Sequence, residues 1–451
     1  MQVNAVETPN VMSAVDSSET AAIGSRARQL LATHADTIKG LLSIIDQAIF
    51  SGTSFVTAVI VGRATTPDVL GLYYLTLTIA YVAIGIQECM IAVPYAILSP
   101  RRRGRELAEY TASTWIHYFS WSALCLGGLL VALLTVSLTG GATITPGLQV
   151  LTFTLPVLLL RESIRRFAFA RLRLTVAIML DATVAFVQLA GLLSLWYLGD
   201  ISLFAIFGTM TIACAVAIFG WLSVNRPRKI LVSRRALVDW RHNWSIAQWS
   251  LASFMLSNTI PFIMPWIVAV VSGNAAAGIF GASATLIGMT NVLVLGASNF
   301  LMPKAASSFA SRGAAGLSRV LIAMALLFVV VIGSFFAAIF VSGDWLAVFV
   351  YGAEFHGTGG VQATLAANML AGSLGMIAAQ GLLVIGRQRV NFLIDIGLFS
   401  ITMISAALLV PEWGPLGAAL ASLAGGTAST SVRAILLGRA LHGMRGTVET
   451  R

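Results

Sequence analysis

The chain has 451 residues, of which 57% are hydrophobic and only 10% are charged, and its mean hydropathy is +0.87. Because a soluble domain carries about 25% charged residues, this composition excludes an ordinary soluble protein and predicts an all-α polytopic membrane protein. The net charge is +10, but 25 of the 28 basic residues are arginines in short clusters between apolar segments. Such clusters are typical of membrane topology signals, so we expect no nucleic-acid partner. The three cysteines lie inside apolar segments and predict neither a disulfide framework nor a thiolate metal site.

Residues 1–40 are polar, without the apolar core and cleavage site of a secretory signal, so we expect a cytosolic tail and a first membrane helix that directs insertion. Since about 20 residues at 1.5 Å each span the hydrocarbon core, the apolar segments predict twelve transmembrane helices. The fourth segment is shortened by Arg161 and Glu162, which interrupt its apolar run. The predicted ranges are 41–62, 70–96, 114–139, 144–163, 175–197, 202–224, 244–271, 277–302, 319–341, 361–386, 392–411 and 415–437.

The basic residues support this count. If alternate connections lie in the cytosol, 27 of them are cytosolic and only Arg63 is outside. By the positive-inside rule, this predicts an even number of helices with both termini in the cytosol. The topology is that of a multi-pass membrane protein.

The two parts of the chain also resemble each other. Sliding residues 54–78 forward by 207 positions aligns Phe55 with Phe262 and Gly71 with Gly278. This favours two parallel six-helix lobes related by an axis along the membrane normal. We therefore predict a cytosolic tail over 1–40, an N-lobe over 41–224, a basic cytosolic linker over 225–243, a C-lobe over 244–437 and a cytosolic tail over 438–451.

Polar side chains follow one side of the first helix. A carboxylate in hydrocarbon costs about 2.5 to 3.5 kcal/mol on insertion scales, so such acids normally face a bundle interior or an aqueous cavity. On a helical wheel, the side that carries Asp46 opposes an apolar arc and also carries Gln47, Ser51, Ser54 and Thr57. We predict that this stripe lines a transport cavity; the alternative is that it binds neighbouring helices together.

The second helix places an acid beside aromatic rings. Tyr81 and Glu88 share one side of it with further tyrosines. Phenol groups can hydrogen-bond and stack against a polar ligand such as a sugar. We therefore add both residues to the candidate transport cavity, where Asp46 and Glu88 are the groups compatible with proton or sodium coupling.

A second set of charges lies near the cytosolic end of helices 4 and 5. It contains Arg161, Glu162, Arg165, Arg166 and Asp181, and Glu162 and Arg166 have the spacing of an i, i+4 pair. We interpret the set as a charge network on the cytosolic side. A site for an anionic ligand, built on the three arginines, is the alternative.

The second lobe opens with a proline-containing helix. Pro261 and Pro265 each remove a backbone donor, while Asn258 offers a side chain to the freed carbonyl groups. A kinked or broken helix in this position often lines a transport path. We include Asn258, Pro261 and, on the next helix, Asn291 among the cavity candidates.

Motifs for catalysis are missing from the sequence. No lysine lies in a phosphate-binding loop of the type GxxxxGK[ST], and the five histidines form no metal-binding spacing. The longest predicted outer loop, 342–360, has 19 residues and leaves little room for an exterior catalytic domain. We expect no enzyme, no metal and no cofactor beyond a coupling ion.

Four stretches resemble bacterial polysaccharide exporters of the Wzx-type flippase group, in the superfamily that also contains multidrug and toxin extruders and lipid II flippases. They are "DQAIFSGTSFVTAVIVGRATTPDVLGLYYL" (46–75), "RESIRRFAFARLRL" (161–174), "RHNWSIAQWSL" (241–251) and "VYGAEFHGTG" (350–359). The resemblance implies two helical bundles that alternate between inward-open and outward-open states. It also implies that cavity cations bind the pyrophosphate of the cargo, for which Arg63 and the Arg161 cluster are the nearest candidates, since no Lys or Arg is expected deep in the membrane.

The resemblance implies a flippase that carries an undecaprenyl-pyrophosphate-linked oligosaccharide across the inner membrane for cell-surface polysaccharide or lipopolysaccharide biosynthesis. Its partners would be membrane lipids, a polysaccharide polymerase and glycosyltransferases. A cation- or proton-coupled multidrug extruder with the same architecture is the first alternative. A membrane polysaccharide polymerase or ligase is the second, and it is disfavoured by the short outer loops.

Overall fold

The computed structural model describes residue 42 and residues 45–139, 144–225 and 235–449, which are helical apart from short turns. A π-helical turn, Glu88–Ala92, joins the second and third helices. The helices are α1 (Ile45–Ala64), α2 (Pro67–Gln87), α3 (Val93–Leu98), α4 (Gly104–Thr139), α5 (Thr145–Ala170), α6 (Leu174–Leu198), α7 (Leu203–Val224), α8 (Ala236–Ser272), α9 (Asn274–Gly288), α10 (Asn291–Tyr351), α11 (Gly359–Val384) and α12 (Gln388–Glu449).

Two of these helices are too long for one crossing. α10 has 61 residues and α12 has 62, and at 1.5 Å per residue each would extend about 90 Å, three times the hydrocarbon thickness. Each contains a glycine with positive φ, Gly313 (58°) and Gly414 (52°). A Cβ built on Gly417 would overlap the carbonyl oxygen of Leu409, although residues eight apart in a straight helix are separated by about 12 Å. The chain therefore reverses inside both helices.

With these reversals, the described residues make twelve crossings, as predicted. Ten helices are each long and apolar enough to span a membrane. α12 supplies two crossings, and α9 joins the first part of α10 to form another. The fourth predicted helix was too short, because α5 continues past Arg161 and Glu162 to Ala170.

The connections lie on two faces that differ in charge. One face carries 101–103, 171–173 and 386–387, and we call it the arginine-rich face. The other carries the turns at 65–66, 199–202 and 352–358, and we call it the arginine-poor face. The positive-inside rule predicts that the arginine-rich face is cytosolic.

Buried apolar side chains form cores within each half of the chain and one core that includes side chains of both, such as Tyr73 and Tyr351. The first lobe, α1–α7, contains two of these cores. One includes Leu151 and joins α2, α4 and α5. The other includes Ala213 and joins α5, α6 and α7. In the second lobe, α8–α12, Val268 and Leu382 belong to two further cores. Since lipid is as apolar as these side chains, close packing rather than water exclusion stabilises such contacts.

The two lobes meet where α2 crosses α9, close to the arginine-poor face. A Cβ built on Gly71 would overlap the carbonyl oxygen of Asn274, and one built on Gly278 would overlap that of Pro67. The two contacts are related by the same shift of 207 positions that aligns the halves of the sequence. This reciprocity supports a pseudo-two-fold axis through the crossing.

The predicted domain limits are only partly covered by the described residues. The tail over 1–40 and residues 226–234 of the linker lie outside them. α8 already begins at Ala236, and α12 continues to Glu449, so helix extends into the ranges assigned to the linker and to the C-terminal tail. The lobe limits at 224 and 244 stay a prediction.

Candidate functional site

A cavity of about 730 Å³ lies between the two lobes. The first lobe contributes side chains of α1 and α2, and the second lobe contributes side chains of α8 to α12. On α2 the lining residues are 6 to 14 positions from Pro67, and on α8 they are 7 to 15 positions from Ser272. The cavity is therefore centred near the middle of the membrane, the depth at which transporters built from two repeated lobes bind their substrates.

The cavity wall is aromatic and hydroxyl-rich. Three tyrosines of α2 line it, at positions 73, 74 and 81, together with serines and threonines of both lobes. Two hydrogen bonds cross between the lobes here: the Tyr74 and Thr285 hydroxyl groups are 2.8 Å apart, and Trp266 Nε1 donates to Thr78 Oγ1 at 2.8 Å. Such a surface offers hydroxyl groups and ring faces to a polar, uncharged part of a ligand.

Arg433 is the only charged side chain among the described residues that line the cavity. It is 9% exposed and forms an ion pair with Asp395 through Nη2. Its Nη1 donates to Ser429 Oγ at 3.4 Å, whereas its buried Nε has no hydrogen-bond partner. Among the described residues, the cavity is therefore bordered by a guanidinium group and by no carboxylate.

This arginine corrects the sequence analysis. Arg433 lies inside the predicted span 415–437 but was counted with the cytosolic residues, and it was not among the predicted cavity residues. The last helix continues past it to Glu449, and its side chain borders the cavity. Asp395, an acid inside the predicted eleventh helix, is the sequence signal that would have indicated a cationic partner.

A second set of charges is buried inside the first lobe. Arg161 and Arg165 of α5 both bind Asp181 of α6, and the distance from Arg165 Nε to Asp181 Oδ2 is 2.8 Å. Glu162 accepts from Arg161 at 3.0 Å, and Arg166 Nε donates to it at 2.7 Å. The predicted charge network therefore exists, but it is buried in the lobe instead of solvated at a helix end.

The network also includes the two acids that were predicted to line the cavity. Arg165 Nη2 is 2.5 Å from Asp46 Oδ2, and Arg166 Nη1 is 2.7 Å from Glu88 Oε1. Neither acid is among the cavity-lining residues. Asp46 and Glu88 thus belong with the arginines, because ion pairing satisfies a carboxylate in the lobe interior.

The cluster, defined as Asp46, Glu88, Arg161, Glu162, Arg165, Arg166 and Asp181, has three arginines and four carboxylates. Its formal charge with all groups ionised is therefore one negative charge. Its five most buried members are only 2 to 7% exposed. Among the described residues, no group donates a hydrogen bond to Asp46 Oδ1, so the cluster contains an unused acceptor atom as well as a surplus negative charge.

The other predicted cavity residues divide between three places. Ser54, Tyr81, Pro261 and Asn291 line the cavity. Thr57 is 1% exposed and accepts a hydrogen bond from Gln188 of α6 at 3.0 Å. Gln47 donates to Ser51 on its own helix at 3.2 Å.

Asn258 lies outside the cavity, in a groove between α2 and α8. Its Nδ2 donates to the carbonyl oxygen of Phe254, and not to that of Ser257, which Pro261 leaves without its helical donor. α8 is continuous through both prolines, so of the two predicted forms, kinked or broken, the helix is not broken.

Arg63, the other predicted pyrophosphate ligand, lies at the arginine-poor face. Its Nε donates to the carbonyl oxygen of Val350 at 2.8 Å, and its Nη2 donates to that of Phe349. Arg63 therefore joins α1 to the end of α10 and is not a cavity residue.

No protein-family model matches the chain, and no curated protein sequence matches it. Among solved structures, the lipid II flippase MurJ in an inward closed conformation is similar, with a TM-score of 0.69 at 12% identity over 88% of this chain and 87% of that one.

An inward-facing multidrug resistance MATE family transporter of the MOP superfamily has a TM-score of 0.64 at 13% identity, over 91% of this chain and 96% of that one. A MOP superfamily transporter from Pyrococcus furiosus, described as having a binding pocket of reverse polarity, has a TM-score of 0.59 at 12% identity. The similarity covers 90% of this chain and 95% of that one. At these identities the likeness establishes the fold: the chain has the two-lobed fold shared by MATE transporters and a lipid II flippase.

Proposed function

We propose that this protein is a flippase that moves a lipid-linked oligosaccharide across the bacterial inner membrane by alternating access. The observation that carries the proposal is the charge of the cavity: among the described lining residues it contains Arg433 and no Asp or Glu. Such a site favours an anionic group over a cationic one, because a buried charge needs a partner of opposite sign.

Arg433 is well suited to a pyrophosphate group. The planar guanidinium group binds phosphate oxygens in a bidentate manner, and its Nε is unused. It lies 19 residues beyond Gly414, which places it about 28 Å from the arginine-poor end of the span, close to the arginine-rich interface. The pyrophosphate of an undecaprenyl-linked sugar lies at such an interface, since its hydrocarbon chain stays in the bilayer.

The remaining cavity wall suits the sugar. About 730 Å³ is within the range of small-ligand pockets, roughly 300 to 1,000 Å³. Tyrosine rings can stack on sugar faces, and hydroxyl groups such as those of Tyr81 and Ser54 can exchange hydrogen bonds with sugar hydroxyls.

The alternative is a multidrug extruder, which is supported by the similarity to MATE transporters. A cationic drug would need a carboxylate in the cavity, and the four acids of the first-lobe cluster are outside it. A polymerase or ligase has less support, because the similar solved structures are transporters and a flippase.

We also propose that the cluster is the site of proton or sodium coupling. Its one surplus negative charge would be neutralised by a proton or a monovalent cation. A coupling ion acts by binding one open state better than the other. Asp46, whose Oδ1 has no partner, is the acceptor that this proposal selects.

Two cargo classes can be compared in one experiment. The purified protein is reconstituted into vesicles of phosphatidylethanolamine and phosphatidylglycerol, and the movement of a fluorescent undecaprenyl-diphosphate-linked oligosaccharide is followed with a membrane-impermeant quencher. Ethidium efflux is measured in parallel vesicles. We expect glycolipid movement without ethidium transport; ethidium transport without glycolipid movement would overturn the proposal in favour of the extruder.

A further inference from the structure

A second cavity, of about 240 Å³, forms a groove between the lobes on the outside of the bundle. Val82 of α2 forms one wall, and one side of α8 forms the other. The α8 residues recur every third or fourth position from Phe254 to Trp266, so they share a helix face about 18 Å long.

Contacts between α2 and α8 limit the groove at both ends. The Phe254 ring lies against Gly85, where any Cβ would overlap it. Twelve residues further along α8, Trp266 donates to Thr78 at 2.8 Å. Between these two contacts the helices leave an opening.

The wall of this opening is apolar although it includes two polar residues. Asn258 Nδ2 and Thr259 Oγ1 both donate to carbonyl groups of their own helix, four residues earlier. Met255 and Ile263 are 37% and 39% exposed. Because the Thr259 hydroxyl and one N–H of Asn258 are bonded to their own helix and the other wall residues are apolar or aromatic, the groove suits a hydrocarbon chain better than water or a polar group.

The groove adjoins the central cavity across the side chain of Phe262. Phe262 lines both, and its ring centroid is 6.0 Å from that of Phe254 in the groove. A single ligand can therefore place a polar part beside Tyr81 or Arg433 and an apolar part against Ile263.

We propose that the groove between α2 and α8 holds the isoprenoid chain of the lipid-linked cargo while its headgroup occupies the central cavity. This inference rests on the proposed function. The groove is then a lateral opening between the lobes. The isoprenoid chain extends through it into the bilayer during transport, so this long hydrocarbon never enters the polar cavity.

The test uses photocrosslinking from the protein. A photoreactive amino acid is placed at Ile263 in the groove, at Ser257 in the cavity, or at Val270, which is 83% exposed and lies two turns further along the same side of α8. The probe is radiolabelled undecaprenyl-diphosphate N-acetylglucosamine in vesicles of phosphatidylethanolamine and phosphatidylglycerol. Excess unlabelled probe serves as the competitor.

We expect labelling at Ile263 and Ser257 that the competitor reduces several-fold, and labelling at Val270 that it leaves unchanged. If Ser257 is competed while Ile263 behaves like Val270, the groove holds ordinary lipid; the inference is then wrong and the proposed function stands. If neither Ile263 nor Ser257 shows competition, both the inference and the proposed cargo class are overturned.

Discussion

Arginine and carboxylate groups meet in both lobes, but with different surroundings. In the first lobe, Arg165 binds Asp46, Glu162 and Asp181 at once and is surrounded by protein. In the second lobe, Arg433 has one carboxylate partner, Asp395, and borders a cavity. The side chain of Asp395 is 35% exposed, whereas that of Asp181 is 1% exposed.

The difference separates a structural role from a binding role. A buried charge that loses its partner destabilises the fold, since no water is present to replace it. A charge at a cavity wall with an unused donor can accept a second anion without leaving its first partner. A substitution that leaves a buried charge of the first-lobe cluster unpaired should therefore lower stability, whereas substitution of Arg433 should lower cargo affinity.

The largest effect is expected for Arg165→Gln. It leaves Asp46 without an ion-pair partner among the described residues and removes one partner of Asp181. We expect a loss of about 3 to 5 kcal/mol in the free energy of unfolding, measured as a lower thermal midpoint in detergent and lower membrane abundance. Adding Asp46→Asn to this variant should restore part of the loss, and a wild-type midpoint for Arg165→Gln would contradict the structural role.

Arg433→Gln should weaken cargo binding without unfolding the protein. Charge-assisted hydrogen bonds contribute about 1.5 to 3 kcal/mol, which corresponds to roughly 10- to 100-fold in affinity. The loss is measured as the ratio of the dissociation constants of undecaprenyl-diphosphate N-acetylglucosamine for the purified variant and for the wild-type protein. Arg433→Lys should retain part of the affinity, since it keeps the charge and loses the planar fork.

The matched control is Arg439→Gln, six residues further along α12 and exposed. It should bind the same probe as tightly as the unchanged protein. Equal weakening by both variants would show that overall charge, and not the cavity arginine, determines affinity.

Asp46→Asn should change stability by less than about 1 kcal/mol, because a neutral amide can still accept from Arg165 and the cluster then has no surplus charge. Its effect should appear in function: glycan export should fall while membrane abundance stays at the wild-type level. Unchanged export in this variant would remove the proposed coupling role of Asp46.

The smallest effect is expected for Glu88→Gln. The Glu88 side chain is 34% exposed, and its partner Arg166 keeps Glu162. Solvent-accessible ion pairs contribute about 0 to 1 kcal/mol, so the thermal midpoint should stay close to that of the wild type. A drop as large as that of Arg165→Gln would show that Glu88 belongs to the buried part of the cluster.

Hydropathy was sufficient to predict the helices. Lengths of apolar runs and the positions of arginines gave the twelve crossings, including those joined at Gly313 and Gly414. The wheel of helix 1 also predicted that Asp46 faces away from lipid, which agrees with its 2% exposure.

Ion-pair partners could not be predicted in this way. Asp46 and Arg165 are 119 positions apart, and Asp395 and Arg433 are 38 apart. Hydropathy averaged over a window of residues falls at every arginine. It therefore does not distinguish a solvated arginine at a helix end from one that is paired inside a lobe. Arg161 and Arg433 lie inside the predicted spans 144–163 and 415–437, but both were counted with the cytosolic residues for this reason.

The crossing of Gly71 and Gly278 has a mechanical consequence. Because the two backbones touch there without intervening side chains, no side-chain rotamer at the crossing itself has to change if the helices rotate about it. The crossing is therefore suited to be a hinge point between α2 and α9. The same geometry requires glycine at both positions. A side chain at Gly71 or at Gly278 would overlap the backbone of the other helix and push the two helices apart.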